Sequence, residues 1–341
     1  MKYFRSAVLL CCLAIAGTQA GNAQDLAEQL KKLAGKNALN YVKPIVQGWG
    51  AGLNSGFYHT ADLHDVLGFD LQLKVTAAKL TDDDKFYQFE MPDELTYTIP
   101  PLGPTYTLFA GQDYDKFTRS STVVGSKDET VLKTKPSSPV GEREIARLPG
   151  GFAPEFPLIG PASPLIVPQA SIGLPFGIEV IGRFIPTTTI SGEDADIGKV
   201  NFLGFGVRHD IDQYIPIPLP IDIAAHFMTQ EFNLKDAQDK NLISASATAY
   251  GLEVSTKALI LTLYGGFQLE TATFEIGPYT ATFQEGSETR TILVDKFEVE
   301  SKNTSRFHAG LRLVLAVINV HADYSFAETP VITAGIGITL R

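Results

Sequence analysis

Ionisable side chains in this chain alternate with apolar residues along several long stretches, and this spacing limits the chemistry they can perform. The candidates for contacting a polar ligand group are Glu179, Arg183, Arg208, Asp210, Asp222, His226, His308, Arg312, His321 and Asp323. An arginine such as Arg183 or Arg208 could hold a carboxylate through two parallel hydrogen bonds. The alternative is structural: opposite charges on neighbouring strands pair with each other and stiffen the wall that carries them.

None of these residues forms a recognisable catalytic or cofactor-binding motif. The chain has no Gly-x-Ser-x-Gly turn, phosphate loop or dinucleotide fingerprint. His59, Asp62, His64 and Asp65 have the composition of a metal site, but their spacing matches no metal motif, so a solvated loop is expected there. We therefore predict no enzymatic activity, no bound metal and no cofactor.

The first 23 residues have the form of a secretory signal peptide. Basic residues precede an apolar run at 7–17, small residues follow, and cleavage is predicted after Ala23, with Ala20 as the alternative site. Both cysteines of the chain, Cys11 and Cys12, lie in this leader. The exported chain therefore has no thiol for disulfides, metal binding or catalysis.

The chain that follows the leader is acidic, with 26 basic residues against 38 acidic ones. Nucleic acid is not an expected partner, because neutralising phosphates requires clustered lysine and arginine. No run of about 18 apolar residues follows the leader, so no transmembrane helix is predicted. A membrane-spanning form would have to be a closed barrel, in which strand pairing satisfies every backbone group.

Alternation of apolar and polar residues predicts β-strands with one apolar face. The clearest pair is 307–317 and 318–326, where the apolar phase changes over two residues as it does at a hairpin turn. Strands of about 9 to 13 residues suit a tilted bilayer crossing, whereas soluble strands average five or six. We predict an all-β fold, an antiparallel transmembrane β-barrel of about 14 strands. A soluble β-sandwich remains the alternative, because alternation does not say which face meets water.

The segment before the barrel is predicted to be a helical plug. Leucines at helical spacing predict a helix over Asp25–Val42 that Pro44 ends, and the alternation of Ile45–Asn54 predicts a strand. The predicted domains are the leader 1–23, a plug segment 24–43 and a barrel 44–341.

A proline-rich stretch interrupts the alternation and predicts a lid or plug loop at about 133–167, because proline cannot donate to a strand ladder. Apolar residues of the helix and this loop could shape a pocket for a lipophilic molecule or could simply pack the plug against the wall. These residues are Leu26, Leu30, Leu33, Phe152, Phe156 and Ile159.

The sequence from Gln169 to Pro186, followed by Gly204 to Pro216, resembles an uncharacterised family of Gram-negative outer-membrane proteins. That family is itself similar to the long-chain fatty-acid transporter (FadL-type) barrels. The resemblance implies a 14-stranded barrel, an N-terminal segment that plugs the lumen, and passage of hydrophobic, fatty-acid-like molecules.

The function predicted on this basis is an outer-membrane barrel that binds or passes hydrophobic small molecules past its plug. The expected partners are outer-membrane lipid, a lipophilic ligand and other envelope proteins. Two alternatives stay open. One is a non-transporting scaffold or partner of secretion machinery, since fold does not fix function. The other is a soluble periplasmic lipid-binding β protein.

Overall fold

The computed structural model describes residues 35–99, 103–151, 155–156, 160–191, 196–216, 220–236, 239–285 and 288–340. Within these ranges, helix α1 (Gly35–Leu53) precedes twenty β-strands. The strands are β1 (Phe69–Lys79), β2 (Phe86–Glu90), β3 (Glu94–Thr98), β4 (Thr105–Phe109), β5 (Phe117–Ser121), β6 (Thr130–Lys133), β7 (Glu144–Leu148), β8 (Glu155–Phe156), β9 (Gly160–Leu174), β10 (Ile178–Ser191), β11 (Asp196–Asp210), β12 (Asp222–Asp236), β13 (Asn241–Ala258), β14 (Leu261–Ile276), β15 (Tyr279–Glu285), β16 (Glu288–Val294), β17 (Phe297–Glu300), β18 (Ser305–Leu315), β19 (Ile318–Phe326) and β20 (Val331–Leu340). Short 3₁₀ helices occupy Asp82–Lys85 and Asp212–Tyr214.

Ten of the described strands close into an antiparallel barrel. Their order is β9-β10-β11-β12-β13-β14-β18-β19-β20-β1, and β1 pairs back onto β9 with Phe69 opposite Ile172. The predicted antiparallel all-β barrel is confirmed, but the predicted number of about 14 strands is wrong. Other strands form separate two-stranded sheets, β2–β5, β3–β4, β6–β7 and β15–β16, and the short strands β8 and β17 only extend the barrel sheet locally.

The barrel carries its apolar side chains outside and its polar side chains inside. In β1, Leu71 is 52% exposed on the outer face, whereas Asp70, Gln72 and Lys74 are buried on the inner face. A soluble sandwich has the opposite arrangement, and a membrane-spanning barrel has this one. Barrel closure therefore settles which face of each alternating strand is the outer one.

The apolar outer surface covers only part of the barrel height and is bordered by aromatic rings. Exposed aromatic residues cross seven neighbouring strands, from β10 to β19: Phe184, Phe205, Phe227, Tyr250, Phe267, Phe307 and Phe326. Pairing places Phe227 opposite Tyr250, and Phe307 opposite both Phe267 and Phe326. We call this row the aromatic girdle. Such girdles mark the membrane–water boundary of transmembrane barrels.

The two ends of the barrel differ in their connections. At one end, here called the turn end, the strands are joined through the short turns at 174–178, 258–261 and 315–318 and the longer one at 210–222. At the other, the loop end, residues 80–159 separate β1 from β9, and 277–304 connects β14 to β18. We call residues 80–151 the insert. Beyond the girdle toward the loop end, the outward residues become polar, among them Glu231, Ser246 and Thr271.

Helix α1 lies inside the loop end of the barrel and is buried on nearly every side. Tyr41, Val42 and Ile45 share one apolar core with Phe202 and Phe274 of the wall. The helix passes through Pro44 and ends at Leu53, so the predicted end at Pro44 and the predicted strand at Ile45–Asn54 are wrong.

The apparent alternation of this segment comes from small residues that let the helix approach the wall. A Cβ atom on Gly50 would lie 2.9 Å from the Ser301 Cβ atom. Proline removes only one helical hydrogen bond, and the surrounding core holds the helix together across it. No helix among the described residues is long and apolar enough to cross a membrane.

The proline-rich stretch is not one loop, because its last part is barrel wall. Strand β9 contains Pro161, Pro164 and Pro168 and pairs with β1 from Ala162 to Ile172. Its pairing with β10 ends at Gln169 opposite Arg183. From Ala162 to Pro168, β9 pairs with β1 on one side and has no paired residue of β10 on the other. Proline is tolerated at such a strand edge.

Candidate functional site: the plugged lumen

The lumen is filled by the chain that connects α1 to β1. After Leu53 the chain continues in an irregular, mostly buried path to Gly68, where it enters β1 at the turn end opposite Leu340. We call residues 35–68 the plug. The buried positions after the helix are Asn54, Ser55, Phe57, Tyr58, His59, Thr60, Ala61 and His64.

Arg183 on β10 holds the point where the helix ends. Its Nη1 atom donates to the Leu53 carbonyl at 3.0 Å, and its Nη2 atom donates to the Ser55 carbonyl at 2.8 Å. The Nε atom donates to Gln169, also on the wall, at 2.9 Å. The guanidinium lies 4.5 Å from the centre of the Phe57 ring. A cation here is favourable because the C-terminus of a helix carries a partial negative charge and carbonyls without helical partners.

Arg306 on β18 makes a second cationic contact with the plug. Its guanidinium binds both oxygens of Glu270 on β14, with both distances 2.6 Å. The Nη2 atom also donates to the Ala51 carbonyl at 2.8 Å, and Nη1 donates to the Ser55 hydroxyl. The charge is therefore neutralised by the wall, and the remaining donors of the guanidinium bind the plug.

Arg208 on β11 is the centre of a third cluster, closer to the turn end. It binds both oxygens of Glu253 at 2.8 Å and one oxygen of Glu179 at 2.7 Å, and it donates to the Thr60 carbonyl. The other oxygen of Glu179 lies 2.7 Å from Nδ1 of His64, a plug residue. This chain of contacts ties three wall strands to the plug.

Amide and lysine side chains of the wall bind further plug carbonyls and share that of Leu53 with Arg183. Gln230 donates to Leu53 at 2.8 Å, Gln268 to Asn54 at 2.7 Å, Lys74 to Gly56 at 2.6 Å and Gln169 to Phe57 at 2.8 Å. The plug carbonyls bound by wall side chains include those of Ile45, Ala51, Leu53, Asn54, Ser55, Gly56, Phe57 and Thr60. The inner wall is thus complementary to the backbone of the plug, in addition to its contacts with plug side chains such as His64.

Aromatic and imidazole rings fill the remaining space around Tyr58. Its ring centre lies 4.9 Å from that of His308 and 5.4 Å from that of His226. The Tyr264 hydroxyl binds Asp323 at 3.0 Å. A cavity of about 10 Å³ lies between plug and wall in this region. This is about the space that one buried water molecule needs, so the cavity is far too small for a lipophilic ligand.

The structure places most of the predicted lumen residues on the buried inner wall. Buried there are Glu179, Arg183, Arg208, His226, Arg312, His321 and Asp323. His308 is half-buried against Tyr58, and Asp210 and Asp222 are half-buried at the turn end. Glu179, Arg183 and Arg208 meet the plug. Glu179 and Arg208 pair as opposite charges on neighbouring strands, as in the structural alternative, whereas Arg183 binds plug carbonyls and wall amides. A ligand-binding role for the ten residues stays a prediction.

The segment His59–Asp65 is not the solvated loop that was expected. His59 and His64 are buried in the lumen, and the His59 ring stacks on His321 with ring centres 4.5 Å apart. Alternation on either side gave no sign of this, because the segment crosses the lumen in an irregular path. Among the described residues, no three histidine, cysteine or acidic side chains are grouped to hold a metal ion.

The sequence analysis missed four charged residues that take part in the contacts between wall and plug or pair with residues that do: Lys74, Glu253, Glu270 and Arg306. Lys74 and Glu270 lie on polar strand faces that the alternation marks, so that signal was sufficient to find them. Glu253 lies in β13, whose serine, alanine and glycine content weakens the pattern, and Arg306 directly precedes the clear run at Phe307.

The predicted apolar plug residues cannot be compared with this site. Leu26, Leu30, Leu33, Phe152 and Ile159 lie outside the described residues, as does the predicted leader 1–23. Phe156 belongs to β8, but its side chain lies outside the described part as well.

Comparison of the sequence with protein-family profiles identifies the family of this chain. The profile of a family of unknown function, DUF6588, matches residues 1–340. The chain belongs to that family. No curated protein matches it.

Solved structures with some similarity are outer-membrane proteins. The β domain of the Bordetella autotransporter BrkA has a TM-score of 0.33 at 10% identity, covering 80% of this chain and 100% of that one. A loop-deleted OmpT of Vibrio cholerae has a TM-score of 0.26 at 10% identity, covering 81% and 100%. The monoaromatic hydrocarbon channel CymD has a TM-score of 0.26 at 7% identity, covering 89% and 99%. Similarity this low carries no argument about function, and the resemblance to FadL-type barrels gains no support from these three.

Proposed function

We propose that this DUF6588 protein is a closed outer-membrane barrel that acts as a scaffold and presents its insert 80–151 outside the cell. The outward apolar surface, the aromatic girdle and the secretory leader read from the sequence support the location. Short turns usually face the periplasm and longer loops the exterior, which orients the insert outward. Enzymatic activity has no part in this proposal.

The observation that carries the proposal is the set of wall side chains that bind the plug backbone. Moving the plug would break the contacts of Arg183, Arg208 and Arg306 with its carbonyls inside a low-dielectric interior. Arg208 and Arg306 would keep their wall carboxylates, but each hydrogen bond lost by a charged group inside a protein costs about 1.5 to 3 kcal/mol. Three such contacts favour a permanently closed lumen over one that opens during each transport cycle.

The insert is fastened to the plug, which supports a role for it as a rigid surface module. The Asn37 amide and the backbone of Glu90 exchange two hydrogen bonds of 2.9 Å. Tyr41 donates to the Gly150 carbonyl at 2.8 Å, and its own carbonyl accepts from Val123 at 3.0 Å. The plug therefore connects the lumen to the insert, and envelope or external proteins are the partners we propose for that surface.

Passage of hydrophobic small molecules is the second candidate. The loop-end half of the lumen is lined by apolar residues such as Phe202, Leu234 and Phe274, which now pack on α1. If the helix withdrew, that surface would suit a fatty-acid-like molecule. The two candidates differ in one respect: transport needs the plug to move and the scaffold does not.

A disulfide between plug and wall separates the two candidates. A Cβ atom on Gly52 would lie 3.6 Å from the Leu165 Cβ atom of β9, within the range that disulfides span. The Thr76 hydroxyl, 2.9 Å from that position, must rotate aside. The predicted mature chain has no cysteine, so the Gly52→Cys/Leu165→Cys variant would contain one possible bridge.

Uptake of a labelled long-chain fatty acid is measured in cells that carry the oxidised variant, the reduced variant, each single-cysteine variant or no copy of the protein. The scaffold proposal predicts equal uptake in all of them. Uptake that falls on oxidation and recovers with reductant, while the single-cysteine controls are unaffected, would establish transport and contradict the closed scaffold.

A further inference from the structure

The turns at the turn end carry apolar residues at positions where polar residues or glycine are usual. Leu67, Phe176, Leu259 and Ala316 each occupy the tip of a different connection, and each has a positive φ between 56° and 70°. Residues other than glycine, asparagine and aspartate rarely adopt this backbone conformation. Four connections thus keep an apolar side chain at a backbone position that favours a different residue.

These tips are also fully or largely exposed. Phe176 is 85% exposed, Leu259 is 93% exposed and Leu67 is 72% exposed. Val66 and Ile260, beside two of these tips, are exposed too. In water, a ring of such residues at one end of a molecule would be an aggregation site.

The height of the apolar outer surface shows what covers the tips. From Phe307 in the aromatic girdle to Ala316 at the tip, nine residue steps span about 30 Å along the strand, at about 3.3 Å per residue. A strand tilt of about 40° reduces this to about 23 Å along the barrel axis. The apolar band of a transmembrane barrel is about 25 Å tall. The band therefore reaches its full height only if it includes the tips.

We propose that the turn end does not project into water, and that its tips insert into the phospholipid leaflet that surrounds it. This inference rests on the proposed membrane location of the barrel. The tips continue the lipid-facing outer surface without interruption, from Leu313 and Leu315 through Val317 on β18 and its turn. The exposed charges of Asp65 and Lys257, next to the tips, then lie in the hydrated headgroup layer.

Tryptophan fluorescence in vesicles tests the depth of the tips. The chain has one tryptophan, Trp49 in the plug, and Trp49→Phe provides a silent background. In that background, Phe176→Trp and Leu259→Trp report on the tips, Leu311→Trp reports on the middle of the wall, and Phe117→Trp reports on the insert. Each variant is reconstituted in phosphatidylcholine vesicles, with acyl-brominated lipid or aqueous iodide as quencher, after a heat-modifiable gel shift has shown that it is folded.

The expected result is that brominated lipid quenches both tip variants at least half as strongly as it quenches Leu311→Trp. Iodide should quench them several-fold less than it quenches Phe117→Trp. Iodide quenching equal to that of Phe117→Trp, with Leu311→Trp still quenched by lipid, would overturn the inference and leave the membrane location intact. If lipid fails to quench Leu311→Trp, the proposed location itself is wrong.

A second measurement covers the case in which a tryptophan variant does not fold. Leu259→Cys and Ser246→Cys are labelled in vesicles with a charged, membrane-impermeant maleimide, in separate samples of the mature chain in which the turn end and the loop end face the reagent. Labelling of Leu259→Cys at least ten-fold slower than that of Ser246→Cys supports insertion of the tips. Equal labelling rates would contradict it.

Discussion

Arg183 on strand β10 donates a hydrogen bond of 3.0 Å to the carbonyl of Leu53, the last residue of helix α1. The two residues are 130 positions apart in the chain, and the contact joins the barrel wall to the end of the plug. It satisfies a carbonyl that has no partner within the helix. It also places a full positive charge at the negative end of the helix dipole.

Replacing this arginine should destabilise the protein more than any exposed arginine does. Arg183→Ala leaves the buried carbonyls of Leu53 and Ser55 without their charged donor, and we expect a loss of about 2 to 4 kcal/mol in the free energy of unfolding. The measurement is urea unfolding in lipid vesicles. The control is Arg147→Ala, which breaks an exposed ion pair with Glu144 and should cost less than about 1 kcal/mol. Equal losses in the two variants would show that Arg183 does not hold the plug.

The Arg306–Glu270 pair should show strong coupling in a double-mutant cycle. Glu270→Leu alone leaves the buried guanidinium without its carboxylate and should cost about 3 kcal/mol or more. Combining it with Arg306→Met removes that charge, so the double variant should be more stable than the sum of the single losses predicts. The exposed pair Lys199–Asp239 is the comparison, with a coupling expected below about 1 kcal/mol. Additive losses at Arg306 and Glu270 would contradict the pairing.

A larger side chain where α1 contacts the wall at Gly50 should loosen the packing of the plug. In Gly50→Val, the new side chain meets Ser301 and Phe274 at 2.9 and 3.2 Å, so the helix or the wall must shift, at an expected cost of about 1 to 3 kcal/mol. Thermolysin cleavage within the plug should become faster. Gly182→Ala points into open space on the outer face and should leave both stability and cleavage unchanged. An unaltered cleavage rate in Gly50→Val would argue against close packing of the helix.

A charge on the outer face should lower the free energy of unfolding between the aromatic girdle and the turn end, and should have little effect on the loop-end side of the girdle. Leu311→Arg places a charge in the middle of the apolar band, where similar substitutions cost about 2 to 4 kcal/mol in membrane barrels. Ser246→Arg lies on the outer face toward the loop end and should cost at most about 1 kcal/mol. Unfolding in vesicles measures both. If the two variants lose the same free energy, the girdle is not the membrane boundary.

Alternation in the sequence was enough to sort most wall residues into the two faces of their strands. The phase change between 307–317 and 318–326 corresponds to the paired strands β18 and β19, and Arg312 and His321 face each other across them. The strand number was overestimated because the short strands near 86–109 alternate in the same way as barrel strands. Nothing local to those strands shows that β2 pairs with β5, and β3 with β4, and that none of them joins the barrel.

The amino-acid sequence was sufficient to show which residues share a face, because the two-residue period is a property of the local backbone. It also determined the absence of thiol chemistry from the predicted mature chain. Barrel closure with ten strands, the course of α1 through Pro44 to Leu53, and the binding of the plug backbone by wall charges became visible only in the folded chain. A backbone carbonyl carries no sequence signature. A contact such as Arg183 with Leu53 exists only once barrel closure and the plug bring two distant segments together.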